Sequence, residues 1–120
     1  EKANVIILGG IYQTESETLV GKITKSCIDQ IHFDKAFIGI DGYTTEAGFM
    51  LRDLLRAEIS SSIIHKARDV FVVSDSTKFG RMELTNIGYL SDIQHIATDY
   101  DLDPAFRTEI ENARVDLILA

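Results

Sequence analysis

An acid, two hydroxyls and a lysine follow an apolar run in this sequence, and these side chains are the strongest candidates for chemistry. The run covers residues 70–73, and the polar group is Asp75-Ser76-Thr77-Lys78. An aspartate can accept hydrogen bonds from two sugar hydroxyls, and an ammonium three residues later can meet a phosphate or ring oxygen. The alternative is structural, with Asp75 capping the following turn and Lys78 in solvent.

Two other apolar runs end in residues suited to a small polar ligand. Residues 36–40 lead into Asp41 and Gly42, and residues 5–8 lead into Gly9 and Gly10. Because an open α/β sheet binds ligands beyond the carboxyl ends of its parallel strands, three polar strand ends predict one shared crevice. Backbone N–H groups at glycines can bind an anion. Glycine pairs and Asp-Gly are also common turn sequences, so a purely structural role is the alternative at both places.

Spacing excludes several other kinds of site. Residues 9–21 match neither a P-loop nor the dinucleotide-binding glycine motif. The acidic segment 99–103 begins like a calcium loop, but Pro104 and Ile110 occupy the positions that require glycine and glutamate. The three histidines lack metal-ligand spacing, and no serine lies in a G-x-S-x-G motif. We therefore expect no catalytic residue, no metal site and no cofactor.

Short apolar runs alternate with segments of helical periodicity along the chain. β-branched residues crowd the runs 4–8, 36–40, 70–73, 95–97 and 115–119. Apolar residues recur at helical spacing over roughly 18–31, 51–67 and 104–113. Asp103 and Pro104 suit the N-cap and first position of the last helix. This alternation predicts an α/β fold with a mainly parallel sheet flanked by helices.

Composition limits the partners of the chain. A length of 120 residues predicts one domain, residues 1–120, and no apolar run approaches the roughly 20 residues that a membrane span needs. The net charge of −7 repels nucleic-acid phosphates, so DNA binding would require another domain. Cys27 is the only cysteine, which rules out an internal disulfide and fits a reducing cytoplasm. The start lacks a methionine and leads quickly into an apolar run, which predicts a fragment of a longer polypeptide.

Six short segments, taken in order, resemble the C-terminal effector domain of DeoR-type bacterial transcriptional repressors. They are residues 7–10, 19–21, 33–42, 57–70, 74–81 and 96–99. The resemblance covers almost the whole chain. It implies a fold similar to ribose-5-phosphate isomerase, glucosamine-6-phosphate deaminase and coenzyme A transferases. It also implies a phosphorylated sugar or sugar derivative as effector, DNA binding through an N-terminal helix-turn-helix absent from these residues, and a dimer or tetramer.

The family pattern implies a set of ligand contacts in this sequence. They are Gly9, Gly10, Asp41, Gly42, Asp75 and Lys78, with Gly21 shaping the pocket wall and Ser76 beside Asp75. The chain departs from the pattern at two points. The family's sensor domain begins with an earlier strand and a phosphate loop, so we expect an N-terminally truncated domain. Ser60 stands where family members often carry a lysine, which leaves Lys78 and backbone amides as the clearer anion partners.

Two other functions compete with a sensor, because a fold does not decide function. A sugar-phosphate isomerase or deaminase needs a base, for which Glu46, Glu58 or Asp75 is available. No second acid or base stands out beside them, so we expect a domain without catalysis. A pure oligomerisation module, whose hydrophobic helices would supply the contact surface, is the third alternative.

Overall fold

The computed structural model describes residues 2–120, which form nine strands and three α-helices. The strands are Ile11–Gln13 (β1), Thr18–Val20 (β2), Lys35–Ile38 (β3), Gly42–Thr44 (β4), Gly48–Leu51 (β5), Asp69–Val73 (β6), Thr85–Gly88 (β7), His95–Thr98 (β8) and Asp116–Leu119 (β9). The helices are Lys22–Asp29 (α1), Leu54–Ile64 (α2) and Pro104–Asn112 (α3). Single 3-10 turns occupy Ser76–Lys78 and Leu90–Asp92.

The predicted parallel sheet is confirmed. It contains four strands in the order β3-β6-β8-β9, all parallel. Burial alternates along β3, β6 and β8, so one face of the sheet lies against the core. The other face carries a stack in which the ring of Phe71 lies between those of Phe37 and His95. Phe37 is 67% exposed at this face.

Two small antiparallel sheets accompany the parallel sheet, and neither was predicted. β1 and β2 form a hairpin, and β4, β5 and β7 form a three-stranded sheet. These strands have three or four residues each, and glycines stand at positions 42, 48 and 88 within them. Short strands that contain glycine give a weak β signal in sequence.

The strand predicted at residues 4–8 is wrong. These residues pair with no strand in the described chain, and Val5, Ile6 and Ile7 are 79%, 77% and 82% exposed. A β-branched run favours an extended backbone, but a strand also needs a neighbour that accepts its N–H and C=O groups. Leu8 does pack against the small apolar cluster formed by Val20, Ile28 and Ile59.

The first two helices agree with the predictions in place but not in length, whereas α3 agrees in both. The helix predicted over 18–31 is α1, which is shorter because Thr18–Val20 pairs with β1. The helix predicted over 51–67 is α2. It begins only at Leu54, because Leu51 lies in β5 and Asp53 caps the helix by accepting from two N–H groups of the first turn. The predicted N-cap at Asp103 is confirmed by its hydrogen bond from the N–H of Ala105.

The main core lies between the buried face of the parallel sheet and the remaining elements. Tyr43 and Phe49 from the three-stranded sheet, Ile64 from α2 and Ile110 from α3 pack there with Val72 of the parallel sheet. Burial of these apolar and aromatic side chains is the main contribution to stability. Within residues 2–120, no helix combines the length and apolar character needed to cross a bilayer.

Candidate functional site

Acidic residues follow three neighbouring parallel strands at the same edge of the sheet. Ile38 pairs with Val72, so Asp41 and Asp75 both stand three residues beyond a paired position. Val73 pairs with Ala97, so Asp75 and Asp99 both stand two residues beyond the next pair. Two of the three predicted strand ends, those at Asp41 and Asp75, therefore converge in the backbone register, and Asp99, which the sequence had not marked as a site residue, joins them. The third predicted end, at Gly9 and Gly10, does not belong to this edge, because residues 4–8 form no strand.

The segment after β6 is held by hydrogen bonds among its own polar groups and Asp99. The Asp75 carboxylate accepts from the Thr77 N–H at 2.9 Å and from the Thr77 hydroxyl. The Thr77 hydroxyl, then the Thr77 N–H and the nearby Lys78 ammonium, lower the pKa of Asp75. Asp99 accepts from the Ser76 N–H at 2.6 Å and from the Ser76 hydroxyl at 2.7 Å. These bonds, the hydroxyl first, lower the pKa of Asp99.

We call residues 75–78 the platform; these hydrogen bonds hold its conformation and favour the ionised forms of Asp75 and Asp99. The structural interpretation of Asp75 as a cap is observed, since its side chain holds the 3-10 turn Ser76–Lys78. Lys78 is half-buried and makes no ion pair with any of residues 2–120. Its ammonium is accordingly available to an anion, so capping and ligand contact are compatible in this turn.

Asp41 is the most buried acid of the chain that the structure describes, and it has two arginines beside it. Its side chain is 12% exposed, and its Oδ2 accepts from the Arg52 N–H at 3.0 Å. The same oxygen lies 3.7 Å from Arg52 Nε and 3.5 Å from Arg56 Nη1. In residues 2–120, Oδ1 receives no hydrogen bond, so one acceptor oxygen remains for a ligand hydroxyl.

A cleft of about 950 Å³ opens beside Asp41, between the β1–β2 hairpin and the start of α2. We call it the hairpin–helix cleft. Its lining comprises Tyr12, Gln13, Thr14, Glu15, Ser16, Asp41, Arg52, Asp53, Leu54, Leu55, Arg56 and Leu84. The volume lies in the range of small-molecule sites, and a lining of charged, amide and hydroxyl side chains beside three leucines suits a polar ligand.

Of the eight residues predicted to bind ligand, Asp41 lines the hairpin–helix cleft and the other seven do not. Two contacts nevertheless hold the Asp41 and Lys78 segments side by side. Tyr43 forms a parallel bridge with Phe79, and the Gly80 N–H donates to the Tyr43 carbonyl at 2.7 Å. Asp41 stands two residues from Tyr43, and Lys78 stands one residue from Phe79. The platform after β6 and the cleft are thus adjacent parts of one edge.

The predicted glycines have packing roles in the structure. Gly10 has a φ of 136°, and a Cβ there would lie 1.8 Å from Thr24 Oγ1. Gly21 is the N-cap of α1 with a φ of 96°. At Gly42 a Cβ would lie 2.4 Å from the Arg81 carbonyl oxygen. The Gly9 carbonyl accepts from the Thr24 hydroxyl at 2.6 Å, so this glycine pair is fixed against α1.

Sequence reasoning missed Arg52, Arg56 and the hairpin residues of the cleft. Both arginines fall within the helix predicted over 51–67, where the sequence gives them no role beyond its polar face. Their spacing of four residues around Asp53, an N-cap residue, is the signal that could have placed both on one side of a helix start. No sequence signal connects them to Asp41, because that contact depends on how α2 packs against the end of β3.

Comparison with known proteins identifies the family. The sequence model described as the DeoR C terminal sensor domain matches residues 1–100, and this chain belongs to that family. It is 29% identical over 117 residues to the HTH-type transcriptional regulator IolR of Bacillus subtilis, covering 98% of this chain and 47% of the relative. It is 30% identical over 118 residues to the HTH-type transcriptional regulator GlpR of Haloferax volcanii, covering 98% and 46%.

The name of a third relative refers to a phosphorylated polyol. The glycerol-3-phosphate regulon repressor of Escherichia coli is 28% identical over 99 residues, which cover 82% of this chain and 39% of the relative. The chain spans less than half the length of each of these three proteins.

The family match confirms the resemblance and the fold class, and it assigns the chain to sensor domains rather than to enzymes. Within residues 2–120, no three His, Cys, Asp or Glu side chains are grouped so that they could hold a metal ion.

Proposed function

We propose that this chain is the effector-binding domain of a DeoR-type transcriptional regulator that responds to a phosphorylated sugar or sugar derivative. The carrying observation is the alignment of Asp41 and Asp75 on adjacent parallel strands, beside a cleft of about 950 Å³. The name of one relative, a glycerol-3-phosphate regulon repressor, supports a phosphorylated polyol as the ligand class. The domain would be a single unit and would act in the cytoplasm as a dimer or tetramer.

The proposed roles follow from the chemistry of each group. Asp41 and Asp75 accept hydrogen bonds from sugar hydroxyls. Ser76 keeps the platform in place beside the ligand by donating to Asp99. The Lys78 ammonium offsets negative charge on the ligand. Gly9, Gly10, Gly21 and Gly42 would allow close backbone packing around the site, since side chains there would crowd neighbouring groups or strain the backbone.

Ligand binding would change operator binding by shifting the equilibrium between two arrangements of the sensor and DNA-binding domains. A DNA-binding domain outside these 120 residues would contact the operator, since the net charge of −7 opposes direct contact with DNA phosphates. The ligand must prefer one arrangement of the two domains, because equal affinity for both would leave operator binding unchanged.

The test is a pair of substitutions in the full-length protein, Lys78→Ala and Asp75→Asn. We expect both variants to bind operator DNA normally and to lose the change in binding that a phosphorylated sugar causes in the wild type. Fluorescence anisotropy of labelled operator DNA measures both the operator affinity and its change when the phosphorylated sugar is added. Lys35→Ala, which removes an exposed lysine at the opposite end of β3, is the matched control. A wild-type response in both test variants would remove these residues from the site.

A further inference from the structure

The hairpin–helix cleft contains two cationic groups whose hydrogen-bonding capacity is almost unused. Each guanidinium carries five N–H donors. Arg52 and Arg56 share a single oxygen of Asp41 at 3.7 and 3.5 Å, which is too long for good hydrogen bonds. Within residues 2–120 neither guanidinium donates a hydrogen bond to any other acceptor. Two forks of donors therefore face a cavity while only one carboxylate offsets their charge.

Two other acids, Glu15 and Asp53, line the cleft, but neither forms an ion pair with Arg52 or Arg56. Asp53 accepts from the Leu55 and Arg56 N–H groups, so the charge of its carboxylate is offset by the positive end of the α2 dipole. Glu15 is exposed on the β1–β2 turn, where water screens it. The local balance at Asp41, Arg52 and Arg56 is one excess positive charge.

Both arginines lie at the start of α2 and near the same carboxylate oxygen. Arg52 precedes the N-cap Asp53, Arg56 lies in the first turn of the helix, and both guanidiniums approach Asp41 Oδ2. The Arg56 side chain is 23% exposed and Arg52 is 62% exposed, which places one donor fork in the wall and the other at the mouth. Planar forks of this kind bind phosphate in a bidentate manner, and the helix dipole adds to the attraction.

The opposite wall suits a polyhydroxylated body. Gln13, Thr14 and Ser16 line it. The Ser16 hydroxyl donates to Gln13 Oε1 at 3.1 Å and lies 2.6 Å from the Thr18 hydroxyl, so this turn is held in place by its own hydrogen bonds. A ligand with hydroxyls along its length could bond to this wall and to the unused Oδ1 of Asp41.

We propose that Arg52 and Arg56 are the receptor for the phosphate monoester of the ligand, with the hydroxylated part directed toward Asp41 and the hairpin. This inference rests on the proposed sensor function and deepens it by placing the phosphate in the hairpin–helix cleft. Lys78 lies outside that cleft beside a carboxylate of its own, Asp75, and acts at the neighbouring edge.

The experiment measures ligand affinity by titration calorimetry on the full-length protein. The probes are glycerol 3-phosphate, phosphorylated pentoses, hexoses and hexitols, the corresponding unphosphorylated compounds, and inorganic phosphate. The variants are Arg56→Gln, Arg52→Gln and Arg56→Lys. Arg68→Gln is the matched control, since this arginine is also paired with an aspartate, Asp34, but lies before β6 at the far end of the sheet.

For the phosphorylated compound that binds best, we expect Arg56→Gln and Arg52→Gln to weaken affinity about ten- to a hundredfold. Arg56→Lys keeps the charge but loses the fork, so its loss is smaller. Arg68→Gln leaves affinity unchanged. Inorganic phosphate should bind wild type more weakly than the sugar phosphate and should show the same ranking of variants. Far-UV circular dichroism confirms folding, and Arg52→Gln, at a more exposed position, remains informative if Arg56→Gln unfolds.

Different results overturn different statements. Unchanged affinity in both glutamine variants, with binding lost in Lys78→Ala, overturns the arginine receptor and leaves the sensor function standing. Equal loss of phosphorylated and unphosphorylated compounds in the glutamine variants also overturns it, because the effect would then not concern the phosphate. Failure of every phosphorylated compound to bind wild type overturns the proposed function and this inference together.

Discussion

Removal of one hydroxyl, in Tyr43→Phe, should reveal how much the side-chain hydrogen bond between β4 and α3 contributes to stability. Tyr43 is 2% exposed and donates to Glu109 Oε1 at 2.6 Å, which ties β4 to α3. Its ring contacts Phe49, Phe79 and Phe106. Phenylalanine retains these ring contacts, so the substitution isolates the hydrogen bond.

The expected loss is about 2 kcal/mol in the free energy of unfolding. A hydrogen bond to a charged group contributes about 1.5–3 kcal/mol. Glu109 keeps a second donor, the Thr45 hydroxyl at 3.0 Å, so its carboxylate is not left without a partner. Glu109→Gln should cost less, because its side-chain oxygen can still accept from the tyrosine as a neutral group.

Alkaline pH supplies an independent measure of the same contact. Burial, followed by the hydrogen bond to Glu109, raises the pKa of Tyr43 above its ordinary value of 10.0. Above pH 10 the unfolded chain releases this proton while the folded chain keeps it. The contribution is therefore fully present below pH 10 and is lost as pH rises, by at most about 1.4 kcal/mol per pH unit. Tyr43→Phe should lack this slope.

Urea unfolding of the wild type and variants between pH 7 and pH 11 tests both statements. The control is Tyr100→Phe, at a position 67% exposed, which should change stability by less than about 0.5 kcal/mol. A cost below about 0.5 kcal/mol for Tyr43→Phe, or an alkaline slope equal to that of wild type, would refute the reasoning.

Two further predictions concern the same edge of the sheet. The pKa of Asp99 is lowered, so its contribution to the free energy of unfolding is present above its ordinary value of 3.8 and is lost as pH falls through the lowered value. Asp99→Asn should therefore reduce the acid dependence of the urea midpoint between pH 5 and pH 2. An unchanged dependence would contradict this. Gly42→Ala places a Cβ against the Arg81 carbonyl and should lower the free energy of unfolding in urea by about 1–3 kcal/mol. Gly39→Ala, with nothing within 4 Å of its Cβ, should lower it far less. Equal losses would contradict the steric argument.

The sequence predicted elements well where local pattern and tertiary packing favour the same structure. β6, β8 and α3 were each located within one residue at both ends, because apolar alternation or an Asp-Pro start coincides with burial in the core. The resemblance to the DeoR family, now confirmed, came from short segments spread over the chain and did not depend on exact element boundaries.

Prediction failed where a local pattern lacked a tertiary partner, or where a partner existed without a strong pattern. The β-branched run at residues 5–8 remains outside any sheet because nothing in the described chain pairs with it. Gly48–Leu51 forms a strand because β4 and β7 pair with it on both sides. Strand formation depends on hydrogen bonds to another segment, so propensity alone does not settle it.

The candidate site shows the same division. Asp41 and Asp75 could be recognised in the sequence because polar residues at the ends of apolar runs fall at one edge of a parallel sheet, whatever the rest of the fold. Arg52 and Arg56 became neighbours of Asp41 only through the packing of α2 beside the end of β3. The order of apolar runs and the residues that follow them are properties of the chain itself. Contact between distant side chains exists only after elements pack, and the cleft is formed by such contacts.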